Sequence, residues 1–485
     1  MRLNQVIAAC AFAALATAPT ASRAQADVPA DVPADVPADV PADIPAEAPV
    51  EVPAATPDAQ RTALYAQFRS LFDGGNYQDA LPVAQQLVAA TEQQYGVSDR
   101  ALVNPLANVG TTELRLGHFT AAQAAYTRAL GILDTTATTT DRARLRPLQG
   151  LGMSYARSDQ PVEAADALKH AIDLSRNVDG LYNLEQLDFV HALIDVYVAT
   201  GRLEDAEREH LFAFRVAETA YGADDPRMLP AYDDLARWYE YVGRYTTART
   251  QHLRALRIAE ATTGRGSVAT VEPLRGIARA YRLEYLYGPE VIEQTTANDP
   301  LSFSAGPGYA QTQSPLNSQG ERALQLALAA LQKAQPPQPA ALGATLVDLA
   351  DWYLTAGNGK AALAAYRDAW QALTTAGDTK IVEAPRQLRY RAPSASITRF
   401  TGGNIEDYDE YTIEARFTVR ADGRTAEVTI APSDAPQQFR DSVESAVRKA
   451  LYSPRLEDGV PVETTGVTLT ERVLVREPDE RKAAS

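Results

Sequence analysis

Gly75-Asn76-Tyr77-Gln78-Asp79-Ala80 returns as Gly117-His118-Phe119-Thr120-Ala121-Ala122 and as Asp159-Gln160-Pro161-Val162-Glu163-Ala164. It returns again as Gly201-Arg202-Leu203-Glu204-Asp205-Ala206 and as Gly243-Arg244-Tyr245-Thr246-Thr247-Ala248. The closing alanines at 80, 122, 164, 206 and 248 are each 42 apart, and so are Tyr155, Tyr197, Tyr239 and Tyr281. Chance does not hold two such series in step, so most of the chain is a tandem repeat. Composition favours an acidic protein without redox or metal chemistry and names no function. The 485 residues carry 46 basic and 62 acidic side chains, a net charge of −16, which argues against a general nucleic-acid binder. One cysteine excludes a disulfide framework, a Cys-ligated zinc site and an iron–sulfur cluster, and five histidines are scattered.

The repeat resembles the tetratricopeptide (TPR) family in the longer-period form of kinesin light chains. Leu151-Gly152-x-x-Tyr155, Leu235-Ala236-x-x-Tyr239 and Leu349-Ala350-x-x-Tyr353 match that family's first-helix signature. Ala122-x-x-x-Tyr126-x-x-Ala129 and Ala362-x-x-x-Tyr366-x-x-Ala369 match its second helix. The resemblance implies a mainly α chain, an α-solenoid of about seven helix pairs over residues 59–376, with a continuous core and a concave surface. The sixth unit departs from the period. Its first helix is expected over Val271 to Glu284, yet the next fitting second-helix alanine is Ala323, 75 residues after Ala248. The insertion near 287–319 is rich in Gly, Pro, Ser, Thr and Asn, and is either a mobile loop or a lid on the concave face.

Within the repeats, Arg275, Arg279 and Arg282 fall at i, i+4 and i+7 of one helix, and Arg237 stands one repeat before Arg279. In TPR proteins that side often lines the groove, and guanidinium forks suit carboxylates. These four arginines are the candidate site for an acidic peptide, against the alternative of a helix face ion-paired with Glu272 and Glu284. His210 and His252, 42 apart, are read as packing between repeats.

After Gly377 the pattern changes from helical to alternating. Tyr411 to Val419 and Ala426 to Ile430 flank Ala421-Asp422-Gly423-Arg424, a hairpin with Asp-Gly turn chemistry. Phe439, Val443, Ala446, Val447, Ala450 and Leu451 predict an amphipathic helix, and Gly466 to Val475 predict a last strand. The expected order in this small α+β domain, residues 380–476, is β-β-α-β, folding on its own. The strand ending Phe417-Thr418-Val419-Arg420-Ala421-Asp422-Gly423-Arg424, the helix leading to Tyr452-Ser453-Pro454-Arg455, and the turn Asp458-Gly459-Val460-Pro461-Val462 resemble the TonB C-terminal domain. Tyr390 to Pro393 is similar to that domain's short N-terminal lead. The resemblance implies docking of an extended peptide by strand addition, at Val467, Thr468, Leu469, Thr470 and Val473 of the last strand. Parity does not reveal which of their N–H groups point outward.

Residues 1–26 have a secretory signal layout: Arg2, an apolar stretch from Val6 to Ala16, and Ala24-Gln25-Ala26 as the cleavage site. Cleavage after Ala26 would remove Cys10 and leave no transmembrane span. Residues 27–58 carry eight prolines at every fourth position from Pro29 to Pro57, with interspersed acids, and are read as an extended disordered linker. Residues 477–485 form a polar tail. No Gly-x-Ser-x-Gly elbow, His-Glu-x-x-His helix or phosphate loop occurs. The expectation is a periplasmic interaction scaffold, neither an enzyme nor a cofactor or metal binder, with protein or peptide partners, an outer-membrane transporter among the candidates. The alternative is a TonB-type energy transducer held at the inner membrane by an uncleaved N-terminus.

Overall fold

The computed structural model describes residues 57–288, 318–397 and 408–476. The expected signal segment, the proline-rich spacer before Pro57, most of the insertion and the tail after Arg476 lie outside the described residues.

Among the described residues, seven helix pairs run through the repeat region. They are α1 (Pro57–Asp73) with α2 (Tyr77–Tyr95), α3 (Val103–Leu116) with α4 (Phe119–Thr136), and α5 (Leu145–Arg157) with α6 (Pro161–Asp179). Next come α7 (Leu187–Ala199) with α8 (Leu203–Tyr221), and α9 (Leu229–Tyr241) with α10 (Tyr245–Thr263). The last two are α11 (Val271–Tyr287) with α12 (Ser318–Gln332), and α13 (Pro339–Thr355) with α14 (Gly359–Ala376). The chain is therefore a mainly α solenoid followed by a small α+β module.

Two compact units make up the chain, Met1–Val178 and Asp179–Ser485. In the first, α1 to α5 pack in chain order. Ala80, Ala122 and Ala164 are 0% exposed, because a larger side chain there would push neighbouring helices apart. Tyr126, 1% exposed, fills the space over Gly150, where a Cβ would lie 2.1 Å from its Cζ. In the second unit, Ala206 and Ala248 are likewise 0% exposed. Helices α9 to α14 stack in order there, with α11 also reaching α13. Leu274, Ile277, Leu324, Leu328 and Trp352 share one core. The sixth pair is complete despite the insertion, with Ala323 buried as the anchor of α12.

The C-terminal module contains β1 (Arg386–Arg389), β2 (Tyr408–Val419), β3 (Thr425–Ile430), α15 (Gln437–Arg448), β4 (Leu451–Ser453), β5 (Arg455–Glu457), β6 (Val460–Val462) and β7 (Thr464–Arg476). The main sheet has the order β3-β2-β7, and β1-β4 and β5-β6 form two-stranded ribbons. The expected β-β-α-β series is thus β2, β3, α15 and β7, with four short strands added. Ile413, Phe417, Val443, Val447, Leu469 and Val473 place α15 over one face of the main sheet.

The helix expected to reach Leu451 ends at Arg448 instead. Leu451 begins β4, which pairs with β1, and the Tyr452 N–H donates to Gly423 O at 2.8 Å. The expected Asp-Gly turn closes the β2-β3 hairpin, with Gly423 N–H donating to Arg420 O at 2.8 Å; Gly423 has φ 78°, and a Cβ there would sit 2.2 Å from Tyr452 O, so the same glycine admits this crossing.

The module also shares a core with the last helix pair. Leu456 of β5 packs with Val347, Ala350, Tyr366 and Leu373. Gly459 lies against Trp370, the Tyr390 N–H donates to Tyr287 Oη at 3.2 Å, and Arg391 donates to Leu286 O at 2.9 Å. The piece expected to fold alone is continuous with α13 and α14 through apolar contacts and with α11 through polar ones.

Candidate functional site

Arg237 lies on α9, and Arg275, Arg279 and Arg282 lie on α11. The three α11 arginines line one pocket with Ala278, Leu324, Asp348 and Trp352. Each of the four has a carboxylate partner inside the protein. Arg237 Nε meets Asp233 at 2.7 Å, and Arg279 Nε meets Glu240 at 2.6 Å. Arg275 meets Asp348 at 2.6 Å and Glu272 at 2.7 Å, and Arg282 Nη1 lies 3.4 Å from Asp351. Of the two acids named from the sequence, Glu272 takes part, whereas Glu284 pairs with Arg249 at 2.7 Å. Asp348 and Asp351, on α13, stand more than sixty positions further along the chain, and no local spacing reveals them.

This ladder is mostly buried. Burial pushes the Asp348 carboxyl up, but Arg275 beside it holds it below the usual range. Glu240 is treated the same way by Arg279 and by its hydrogen bond from His252 Nε2 at 3.0 Å. Burial works against the charge of Arg275 and Arg279, and their carboxylates outweigh it, raising both. The arginines and their carboxylates therefore form a row of compensated charges. Among the described residues, Arg279 Nη2 and Arg282 Nη1 are buried without a hydrogen bond of good geometry, Arg282 Nη1 having Asp351 at 3.4 Å as its ion-pair partner. His252 packs under Gly276, and the His210 ring stacks on Trp238 with centroids 4.7 Å apart.

At the other candidate site, Val467, Thr468, Leu469, Thr470 and Val473 all belong to β7. One side of β7 pairs with β2 in unbroken register from Phe417↔Val467 to Tyr408↔Arg476. Among the described residues its other side is bridged only at Val473, by Ser396. Leu469 and Val473 point into the core, Val467 packs at its rim, and Thr468 and Thr470 lie on the opposite face. Side chains of the apolar set are thus unavailable to a peptide, and any docking there is by backbone.

The strap before β2 fixes the direction of that backbone. Leu474 N–H donates outward to Ala395 O at 2.7 Å. N–H groups of alternate residues in an antiparallel strand point the same way, and the register is unbroken, so Thr470 and Thr468 also point outward. Leu469, paired with Ala415, points to β2. Glu471, 5% exposed, anchors the strap by accepting from Tyr390 Oη at 2.6 Å and from Ser396 Oγ.

Comparison with known proteins assigns both regions. Residues 189–261 match the tetratricopeptide repeat family, and residues 410–470 match the Gram-negative bacterial TonB protein C-terminal family. Both are families of interaction modules. Among solved structures, the TPR-like repeats of a candidate kinesin light chain from Podosopora anserina are 18% identical, covering 42% of this chain and 97% of that one, with a TM-score of 0.38. BtubC (BKLC) from P. vanneervenii is 16% identical, covering 65% and 92%, with a TM-score of 0.35. The C-terminal part of a TPR repeat-containing protein from Cytophaga hutchinsonii is 13% identical, covering 65% and 97%, with a TM-score of 0.39. A search of curated proteins found no match. No helix among the described residues is long and apolar enough to cross a membrane.

Proposed function

We propose that the protein is a non-enzymatic interaction scaffold of the Gram-negative periplasm. Its solenoid groove takes a protein or peptide, and its C-terminal module docks a second partner by strand addition. The domain limits that go with this reading are 1–26 for the signal peptide, 27–58 for the linker, 59–376 for the solenoid and 380–476 for the module.

The observation that carries it is the outer edge of β7, where Thr468 and Thr470 present N–H groups outward and no described strand pairs with them. An extended peptide would gain main-chain hydrogen bonds there, as sheet-edge binders do. Thr468→Pro removes an outward donor and leaves pairing with β2 in place, whereas Leu469→Pro removes a donor facing β2. Thr468→Pro should keep the circular dichroism spectrum and lose crosslinks to the partner in periplasmic extracts. Leu469→Pro should unfold the sheet. A folded Thr468→Pro, Thr470→Pro double variant that keeps its partner would move the docking surface elsewhere.

In the groove, Arg237, Arg275, Arg279 and Arg282 are the proposed contacts for an acidic peptide. That Arg275, Arg279 and Arg282 line one pocket supports that reading. The TonB C-terminal match at 410–470 favours a second reading, an energy transducer for an outer-membrane transporter. It requires an uncleaved N-terminal anchor, so mass spectrometry finding a mature chain that starts at Asp27 rules it out.

A further inference from the structure

We infer that the acidic spacer of residues 27–56 docks on a basic face of the first compact unit, against Arg69, Arg115 and Arg146, as an intramolecular ligand. This contact is separate from the one proposed for Arg237, Arg275, Arg279 and Arg282.

The face is built by the first helices of the opening repeats. Leu64, Phe68 and Phe72 of α1 share a core with Val109 of α3. Helix α5 meets α3 through Arg146, whose Nη2 donates to Asn108 Oδ1 at 2.8 Å. Tyr126 of α4 supports both, its ring lying against Gly110 and Gly150 and its hydroxyl donating to Thr111 Oγ1 at 3.0 Å. Arg69, Thr111 and Met153 hold one position of successive repeats, 42 apart. Arg115 and Arg146 both act on the charge of the Tyr126 hydroxyl, and Tyr65 and Arg69 act on that of Arg146, so the group is local.

Its charge differs from that of the rest of the unit. Elsewhere the arginines are matched, Arg100 by Asp141, Arg128 by Glu92 at 2.5 Å and Arg144 by Asp134 at 2.6 Å. On this face Arg69 shares an exposed pair with Asp73 at 3.0 Å. Arg115 and Arg146 are open to solvent, and the partner of Arg146 is the neutral Asn108. Helices α3 and α5 carry a single acid between them, Glu113, which is 8% exposed and already engaged by His118 at 2.8 Å. In a chain of net charge −16, an accessible basic face of this kind attracts the chain's own acids.

The spacer has the matching chemistry. Residues 27–56 hold an acid at every fourth position from Asp27 to Glu51 and no lysine or arginine. At about 3.1 Å per residue, an extended segment would present a carboxylate roughly every 12 Å. Packed helices lie about 8–10 Å apart, so successive acids meet successive first helices. Tyr65, 48% exposed, stands beside Arg69 on α1, and prolines of extended segments seat on aromatic rings. The spacer runs directly into α1 at Pro57, about two turns before Tyr65. So short a tether sets its effective concentration on the order of millimolar, and individually weak contacts suffice. An outside acid then reaches these arginines only by displacing the spacer.

Energy transfer within the full chain tests this, with Cys10→Ser and dyes at Ala42→Cys in the spacer and Ala156→Cys on α5. Transfer should be high at low salt and fall by about half or more in about 1 M salt, where the Debye length is about 3 Å. Arg115→Glu with Arg146→Glu should lower it as far and leave the circular dichroism spectrum unchanged. Asp31→Lys, Asp35→Lys and Asp39→Lys should lower it in the parent and restore it in that double variant, which a merely structural effect would not do. If the double variant does not fold, Arg115→Glu alone should give a smaller loss, restored by the same three lysines. Transfer indifferent to the arginine changes, or not restored by the swap, overturns the inference. Transfer between singly labelled chains makes the occupant a second copy's spacer and overturns the intramolecular assignment. A free peptide of residues 27–42 that binds these arginines while the parent's own transfer stays low leaves the face to another protein's acids, and overturns it too.

Discussion

His210 shows how little of a side chain's role follows from its type. Its 42-residue spacing from His252 suggests equivalent jobs, yet His252 is hydrogen-bonded to Glu240 while His210 lies flat on Trp238. Burial lowers the His210 pKa from 6.5 to about 4, so the folded protein keeps it neutral where the unfolded chain binds a proton. Stability from this group is complete above pH 6.5 and is lost as pH falls from 6.5 toward 4. The carboxylates of Glu240 and Asp348, held below their ordinary 4.5 and 3.8, add their own loss as pH falls through those values, in parent and variant alike. Thermal melts of His210→Phe should accordingly fall less steeply than the parent's between pH 6.5 and 4, and run parallel to it below. Equal slopes across the upper window would mean that His210 does not carry this dependence.

Between repeats, the helices begin in a way that the repeat anchors leave unmentioned. A 3-10 turn precedes each first helix from α3 to α11, and the residues that open these turns are Asp99, Asp141, Asn183, Asp225 and Ser267, each 42 apart. The first four accept a backbone N–H two or three residues on, and Ser267 does not. The series is visible in the sequence once the turn is known, but three residue types share it, so identity alone does not mark it. Asn183 accepts from Gln186 N at 3.0 Å. Asn183→Ala should therefore cost about 1 kcal/mol in denaturant unfolding. Ser267→Asp should stabilise its repeat, by less than that. A neutral Asn183→Ala would show that the turn is held by packing.

Joined together, the last repeat and the module behave as one body in chemical terms. A fragment of residues 380–476 lacks Asp351 and Tyr366, which pair with Arg386 and Ser453, and lacks the apolar partners of Leu456. It would expose a buried arginine and part of a core. A fragment of residues 339–476 restores all of these. The longer piece should melt cooperatively and at least 10 °C higher than the shorter by circular dichroism, an order-of-magnitude figure for a small domain regaining about 2 kcal/mol. Equal midpoints would restore the module as an independent domain.

The seven-pair solenoid was legible because its cause is periodic: a buried alanine at Ala80, Ala122, Ala164, Ala206 and Ala248 is demanded once per turn of the repeat, and any reader of spacing meets it. The β2-β3 hairpin, α15 and β7 were legible for the same reason, each having an apolar face of fixed period. The end of α15 was not, because Leu451 continues the helical pattern and leaves it only to pair with β1, over sixty residues earlier. Nor could spacing show that Arg275 meets Asp348, that Asp351 is shared by Arg282 and Arg386, or that Thr468 and not Leu469 turns its N–H outward. Local periodicity reports which side of one element is buried. Which charge answers which, and which strand edge is left over, depend on elements brought together from distant parts of the chain, and those contacts exist only once it has folded.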